Sequence, residues 1–225
     1  ACIATAALLE APFHIFSEVV SRWMQAWVSI QRLRDFLGLE EKLELVPSNV
    51  QGEAVGISMS GVSIGSPGQE ILTVPKLEIQ PGECIAVIGP VGGGKSQFLA
   101  ALLHEGSDQI GTISYFSKDG SVGVPAMSFA AQEPFILNRS LEANLNFGAK
   151  PGFSQHEIDR VLKLTAFDID MRQLGLTLDT EIGEKGVNLS GGQKQRLSLA
   201  RAALYSAQLV LLDDPVSGVY PATAR

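Results

Sequence analysis

The stretch "GPVGGGKS", residues 89–96, satisfies the pattern G-x-x-x-x-G-K-[ST] and follows the apolar run "CIAVI". Glycines leave no side chains to obstruct an anion, so successive backbone N–H groups can surround phosphates, and a following helix adds its positive end. In this pattern Lys95 would reach the outer phosphates and Ser96 would bind Mg²⁺. A glycine-rich turn that binds nothing is the weaker alternative, because a strand-like run precedes the motif and a helical pattern follows it. The sequence therefore predicts a site for a nucleoside triphosphate.

Length and charge narrow the class of protein. The 225 residues allow one large domain, or one domain with an appendage, and 45% apolar and 18% charged residues are globular values. A net charge of −7 argues against a partner with a phosphate backbone, so no nucleic acid is expected. Cys2 and Cys84 make no disulfide framework, which fits a reducing, cytosolic setting.

The amino end predicts a long helix. Apolar residues recur at three-to-four spacing from Phe13 to Leu39, which is typical of an amphipathic helix packed on a core. The preceding "ACIATAALL" lacks the charged start of a signal peptide and breaks at Glu10 and Pro12 before reaching membrane-spanning length. It could be the last turns of a longer apolar helix. Residues 41–54 are polar and aperiodic, so we expect a linker there and the main domain from Val55.

Short strands are predicted after this linker. The segments "ISMSGVSI" and "ILTVPKLEI" are separated by turn residues, as antiparallel strands are. The segment "GECIAVIG" is apolar throughout, which predicts a buried parallel strand, and "AMSFAAQ" and "AQLVLLDD" have the same composition. A mostly helical region is expected over 134–204. This order predicts an α/β fold with a parallel core and a helical insertion.

Asp213 closes the apolar run "LVLLD", where a carboxylate at the end of a buried strand would face a bound ligand. If that strand neighbours the one ending at Gly89, Asp213 would act on magnesium, directly or through water. An aspartate that only caps a turn is the alternative. Together with the glycine loop, the metal role is preferred.

A second anion site is indicated by "LSGGQKQRLSLARAAL", residues 189–204, where Ser190 and two glycines open a helix. This segment carries "LSGGQ", the signature of the ATP-binding cassette (ABC) family, and the chain resembles that family over nearly its whole length. The resemblance implies an ABC ATPase domain of the P-loop NTPase class, in which two cassettes face each other. Each ATP then lies between the phosphate loop of one cassette and the signature of the other.

Further motifs extend the resemblance. Gln132 matches the family's glutamine loop, which contacts Mg²⁺ and adjoins the transmembrane part, and "TEIGEKG", residues 180–186, resembles a segment that marks exporters. "WVSIQRLRDFL" resembles the end of a transmembrane helix joined to its nucleotide-binding domain in subfamily C, the multidrug-resistance-associated type, which revises the core-helix interpretation of 1–40. The implied ligands of ATP are Gly89, Pro90, Val91, Gly92, Gly93, Gly94, Lys95, Ser96, Gln97, Ser190, Gly191, Gly192 and Gln193. The implied magnesium ligands are Ser96, Gln132 and Asp213, and the implied catalytic residues are Gln132 and Asp214.

Three features depart from an active family member. Asp214 stands where active members have a glutamate that orients or deprotonates the attacking water, and a misplacement of about 1 Å can cost on the order of 100-fold in rate. No aromatic residue stands in "SIGS", residues 63–66, to stack on adenine, and Tyr220 replaces the usual aspartate after the Asp213 strand. The three histidines all precede that strand, so we expect the family's switch histidine beyond the chain, which we interpret as a piece truncated at its carboxyl end.

These observations favour the first nucleotide-binding domain of a subfamily C exporter, with residues 55–225 forming the incomplete cassette. Mg·ATP would draw it to a second nucleotide-binding domain, transmembrane domains would respond, and its own site would hydrolyse ATP weakly. The full protein would lie in a membrane with this domain on the cytoplasmic side. The alternatives are an ATP-gated channel or regulatory subunit, and a soluble ABC ATPase of repair or translation. The apolar start and the two tryptophans oppose the last.

Overall fold

The structure is a computed structural model that describes residues 2–38, 54–65, 70–105, 109–147, 153–183 and 187–216, with side chains described from Ile15 onward in the first helix. The chain forms two compact units, residues 1–44 and 45–225.

The first unit contains one long helix, α1 (Cys2–Leu37), which begins earlier than the periodicity predicted. Its side chains from Ile15 to Leu37 are all exposed, and two of them, Trp23 and Trp27, stack with ring centroids 5.9 Å apart. Within the described residues, no helix combines the length and apolar character that crossing a membrane requires. The predicted linker lies outside the described residues, except for Ala54.

The second unit opens with an antiparallel sheet of β1 (Val55–Ile64), β2 (Leu72–Ile79) and β3 (Gln109–Ser117), in the order β2-β1-β3. The first two strands confirm the sequence prediction, whereas β3 was not predicted. The central strand β1 is held on both sides, since Ile57 lies opposite Ile79 of β2 and Tyr115 of β3. One β1 face packs into a buried core.

Helix α2 (Lys95–Leu102) shares that core with the sheet. The buried members from the sheet, the helix and a later strand are Ile57, Met59, Val62, Ile64, Ile79, Phe98, Ala101, Leu102, Tyr115 and Leu211. The phenol of Tyr115 is buried as well: its hydroxyl donates to the carbonyl of Leu102, and burial raises the pKa of Tyr115. The helix that follows the glycine loop is therefore fixed on a rigid support.

The two apolar runs predicted as core strands are confirmed as β4 (Met127–Ala130) and β7 (Leu209–Leu212), and the structure pairs them with each other in parallel. The prediction for "GECIAVIG" is wrong, because residues 82–89 form no strand and pair with no strand among the described residues. Ile85 and Ile88 are 53% and 90% exposed. A strand buried on both faces is fixed by its neighbours, and the apolar composition that predicts it supplies no partner by itself.

The stretch between β4 and β7 carries four helices, α3 (Leu141–Leu145), α4 (Gln155–Leu164), α5 (Phe167–Leu174) and α6 (Gly191–Leu204). A short antiparallel pair, β5 (Arg139–Ser140) and β6 (Glu181–Ile182), lies among them. A second core holds this helical subdomain together; its fully buried residues include Leu141, Leu145, Phe167, Ile182, Leu197 and Ala200. The predicted helical insertion is therefore present, with a two-residue strand pair that the sequence did not suggest.

Candidate functional site

The phosphate loop leads directly into α2, so that Lys95, Ser96 and Gln97 are the first three residues of that helix. Gly94 precedes the helix in a left-handed conformation with φ 82°, which residues with a Cβ rarely adopt. Among the described residues, no side chain caps this helix start. The positive end of α2 is therefore available to an external anion.

The side chain of Lys95 folds back over the loop. Its Nζ donates to the carbonyl oxygens of Gly89 and Pro90, at 3.1 and 2.9 Å. The backbone N–H of Gly93 donates to the same Pro90 carbonyl at 3.1 Å and closes a tight turn. Pro90 has no N–H of its own to offer a phosphate, so its part in the loop is to hold Lys95 and Gly93. The ammonium group is thus already held beside the loop amides, where it can meet a phosphate oxygen.

The outer side of the loop is open to solvent. A Cβ added at Gly89 or Gly92 would meet no atom within 4 Å, and Val91 is fully exposed. Gly94 is different, since its added Cβ would lie 3.3 Å from Cγ2 of Ile71. Sequence reasoning gave residues 89–96 as a loop that leaves room for a ligand, and the structure has that room.

Gln132 and Asp213 follow two strands that run side by side. Ala130 lies opposite Leu212 at the carboxyl ends of β4 and β7, and the N–H of Asp213 donates to the carbonyl of Ala130 at 2.9 Å. Because the strands are parallel, the residues after them meet at one edge of the sheet. From the sequence, the magnesium role of Asp213 depended on pairing between its strand and the run that ends at Gly89. That expectation is corrected: β7 pairs with β4, and among the described residues the run before Gly89 pairs with no strand.

The three candidate magnesium ligands, Ser96, Gln132 and Asp213, offer a hydroxyl, an amide oxygen and a carboxylate. These are the hard oxygen donors that Mg²⁺ prefers. The described residues contain no group of three or more His, Cys, Asp and Glu side chains that would form a protein-only metal cage. The donor set therefore fits an ion that is held mainly by nucleotide phosphates and by one or two side chains.

Asp214 adopts a left-handed backbone, with φ 47°. Aspartate and asparagine occupy this region several times more often than other non-glycine residues, because their short polar side chains interact with the local backbone. Asp214 therefore stands on a turn that itself favours aspartate.

The signature segment begins α6 with a closed cap. The hydroxyl of Ser190 accepts from the N–H of Gln193 at 3.4 Å, and the Gln193 side chain accepts from the N–H of Ser190 at 2.8 Å. A Cβ added at Gly191 would meet nothing within 4 Å. Nothing in the described part of the chain requires glycine at this position, so the open space over the helix start is available to a ligand.

A buried ion pair fixes this helix start, and sequence reasoning did not identify it. Arg196 donates to both carboxylate oxygens of Asp170, at 2.6 and 2.8 Å, and the two side chains are only 12% and 7% exposed. Gln193 also donates to Asp170, at 3.4 Å. The signal available in the sequence was the position of Asp170, three residues after Phe167, which places both on the buried face of α5. Its partner is 26 residues away, and no local spacing links them.

Arg201, at the other end of α6, was also missed. Its guanidinium donates to the carbonyls of Asn144 and Phe135, at 2.7 and 2.9 Å, and lies 5.5 Å from the centre of the Phe147 ring. Burial lowers the pKa of Arg201. The signature helix is thus joined to the segment that follows Gln132.

The candidate residues fall into two groups. The phosphate loop leads into α2, which packs in the β-sheet core, while Ser190, Gly191, Gly192 and Gln193 begin α6, which packs in the helical core. Gln132 lies in the chain between the two groups, after β4. Residues 184–186 of the exporter-like segment, Tyr220 and Ser66 lie outside the described residues.

Comparisons with known proteins agree with this geometry. A family model described as "ABC transporter" matches residues 72–217. The rat ATP-binding cassette sub-family C member 3 is 36% identical over 218 residues, covering 94% of this chain and 14% of that protein. The multidrug resistance protein mrp-7 of Caenorhabditis elegans is 36% identical over 220 residues, with the same two shares. A solved bacterial Atm1-family ABC exporter with ATP bound gives a TM-score of 0.70 at 25% identity, covering 89% of this chain and 36% of that one.

Proposed function

Since the chain belongs to the ABC transporter family, as a nucleotide-binding domain of subfamily C, we propose that it is the first of two such domains in a membrane exporter. It holds Mg·ATP at its phosphate loop and closes against the second domain to drive transport. The chain spans about 14% of the length of the curated relatives, so the second domain and the transmembrane domains belong to the rest of such a protein.

The observation that carries this proposal is the pair of glycine-rich helix starts at Gly94 and Ser190. Both can bind phosphate, yet they rest on different hydrophobic cores. The open space over Gly191, in the first turn of α6, would be filled by the nucleotide held on the partner domain. A glycine in the first turn of a helix costs stability relative to alanine, so its presence is explained by a close approach from outside the chain.

Magnesium, when bound with the nucleotide, would neutralise phosphate charge and polarise the γ-phosphoryl group. Ser96, Gln132 and Asp213 would hold it, and Lys95 would turn from its loop carbonyls to a phosphate oxygen. Gln97 and the backbone N–H groups of Val91, Gly92 and Gly94 would complete the cradle, while the N–H of Gly93 closes the turn on Pro90. Gln132 would also couple the binding of Mg·ATP to the transmembrane domains, to which α1 would be the covalent connection.

Hydrolysis at this domain's own phosphate loop is slow. The carboxylate of Asp214 is one methylene shorter than that of glutamate, and the turn that carries it has a positive φ. A shortfall of about 1 Å lowers the rate by on the order of 100-fold. ATP on Lys95 then serves mainly to hold the two domains together, while hydrolysis at the other composite site resets the cycle.

The test is Asp214→Glu in the full-length transporter, with the second domain's own site inactivated. Single-turnover hydrolysis at this site should rise about 10- to 100-fold. Asp214→Asn is the matched control, because asparagine tolerates the left-handed backbone but cannot act as a base. An unchanged rate in Asp214→Glu, with ATP still bound, would show that the shorter carboxylate is not what limits this site.

A further inference from the structure

We propose that Arg201 is a positioning residue that clamps the glutamine loop, defined here as residues 131–134, to the signature helix α6. The magnesium contact of Gln132 and the phosphate contact of Ser190 then stand on one rigid support. This inference rests on the proposed function, because it assigns a role within the Mg·ATP site.

Arg201 makes three hydrogen bonds to the segment of chain that follows the glutamine loop. Its Nε donates to the carbonyl of Asn144 at 2.7 Å and its Nη1 donates to the carbonyl of Phe135 at 2.9 Å. Its Nη2 donates to Oδ1 of Asn144 at 3.3 Å. Three nitrogens of one planar group therefore bind the segment that leaves the glutamine loop.

A second anchor joins the chain before the loop to α6, at Ala202, the residue that follows Arg201. The hydroxyl of Ser128, in β4, donates to the carbonyl of Ala202 at 2.8 Å, and the Ser128 side chain is buried. The chain entering the loop is thus bonded to residue 202 and the chain leaving it to residue 201. Both ends of the loop are tied to one turn of α6.

The segment held by Arg201 is itself rigid. Asn144 is fully buried, and its amide group accepts from the N–H of Leu137 at 2.8 Å while donating to the carbonyls of Leu137 and Ser140 at 3.0 and 3.1 Å. A displacement of Arg201 is therefore transmitted to residues 135–144 as a unit. The hydroxyl of Tyr205, one helical turn after Arg201, donates to the carbonyl of Phe147 and extends the attachment.

The bonding of Arg201 is unusual for a half-buried cation. Among the described residues no carboxylate lies within ion-pair distance of it, so its charge is met by carbonyl oxygens and by the ring of Phe147. Carbonyl partners require a specific geometry, and the planar fork of arginine supplies it where the point charge of lysine does not. This bonding favours a positioning role over a simple electrostatic one.

The test uses the full-length protein and a fluorescent ATP analogue, titrated with Mg²⁺. Arg201→Lys should raise the Mg²⁺ concentration for half-maximal binding by about 10-fold, which is typical when a residue that orients a metal ligand is changed. Gln132→Ala should produce a similar rise. Because both changes act on one contact, the double variant should match the larger single effect instead of their product.

Arg172→Lys is the matched control, since Arg172 is an exposed arginine of the same subdomain whose ion pair within the described part of the chain is with Asp168 on its own helix. It should leave the Mg²⁺ midpoint unchanged. Arg201→Lys should also leave binding of the analogue in EDTA unchanged, because the phosphate loop rests on the other core. If Arg201→Lys is too unstable to purify, Ser128→Ala removes the opposite anchor and should raise the midpoint in the same direction by a smaller factor.

Two results would overturn the inference. One is a double variant whose midpoint shift equals the product of the single shifts, and the other is an equal loss of binding with and without Mg²⁺. Both differ from failure of the proposed function, which would appear as wild-type protein that does not bind the analogue, or as binding in EDTA that Lys95→Ala does not weaken.

Discussion

The helix starts at Gly94 and at Ser190 are both rich in glycine, yet they differ in how the chain completes them. Ser190 and Gln193 form a reciprocal cap, and the buried Asp170–Arg196 pair holds that turn from below. Gly94 has no side-chain cap among the described residues, and the run before its loop is exposed. The signature helix start is thus capped by its own residues, whereas the start of α2 has no such cap among the described residues.

Because of this difference, we expect the two helix starts to contribute to different properties, one to the stability of the fold and the other to the binding of ATP. Changes at the signature support should act mainly on folding of the helical subdomain, while changes in the phosphate loop should act mainly on affinity for ATP. Four experiments, from the largest expected effect to the smallest, would contradict or refine that separation.

Asp170→Ala should lower the free energy of unfolding by about 3–5 kcal/mol, because it leaves the guanidinium of Arg196 buried without a partner. Chemical denaturation of the helical subdomain would measure it. Asp168→Ala is the control: it removes an exposed pair with Arg172 and should cost under about 1 kcal/mol. Equal losses in the two variants would mean that the buried pair is not the support of α6.

Lys95→Ala should weaken ATP binding about 10- to 100-fold, since it removes a charge-assisted hydrogen bond to phosphate. Equilibrium binding of ATP measures this, and the unfolding free energy should change little. Lys163→Ala, at an exposed lysine of α4, should leave affinity unchanged. A Lys95 variant with wild-type affinity would contradict the role of the loop.

Gly94→Ala should destabilise the protein by about 1–2 kcal/mol, because alanine is strained at φ 82° and its Cβ would press on Ile71. Gly191→Ala should leave stability unchanged or raise it by up to about 1 kcal/mol, since its Cβ meets open space. Thermal unfolding compares the two. Closure of the two domains on ATP should nevertheless be impaired in Gly191→Ala, and equal destabilisation by both changes would show that Gly191 has a structural purpose within this chain.

Among the described residues, α4 and α6 both begin with a capping box, in which a serine hydroxyl and the side chain three residues later each accept a backbone N–H: Ser154 with Glu157, and Ser190 with Gln193. The two capping boxes differ in their response to acid. Ser154→Ala and Ser190→Ala should each cost about 1 kcal/mol at neutral pH. Hydrogen bonds from Ser154 lower the pKa of Glu157, so the stability that this carboxylate contributes is present above its ordinary pKa and is lost as pH falls through the lowered pKa. The reciprocal partner of Ser190 is Gln193, which does not titrate. Denaturation at neutral and at acid pH measures the loss of unfolding free energy in each variant. The loss caused by Ser154→Ala should become smaller at acid pH, whereas the loss caused by Ser190→Ala should be the same at both.

Sequence patterns predicted those elements whose signals are local. The phosphate loop, the first two antiparallel strands and the Ser190 helix start all depend on neighbouring residues, and each is present. The strand predicted at "GECIAVIG" is absent, because an apolar run becomes a strand only when other strands pair with it. Asp170 and Arg201 were missed for a related reason. Their partners lie 26 and 57 residues away, at distances that no sequence spacing encodes.

The pairing of β4 with β7 has a consequence for how the chain folds. Among the described residues, the buried members of the helical core lie between Leu141 and Leu204, and Ile136 and Tyr205 pack against them. The strands that flank this core, ending at Ala130 and beginning at Leu209, must pair across the whole insertion. A compact insertion keeps its two ends close, which reduces the loop-closure entropy of joining them. We therefore expect the helical insertion to fold as a unit before β4 and β7 pair. The sheet edge that carries Gln132 and Asp213 is then assembled after the insertion.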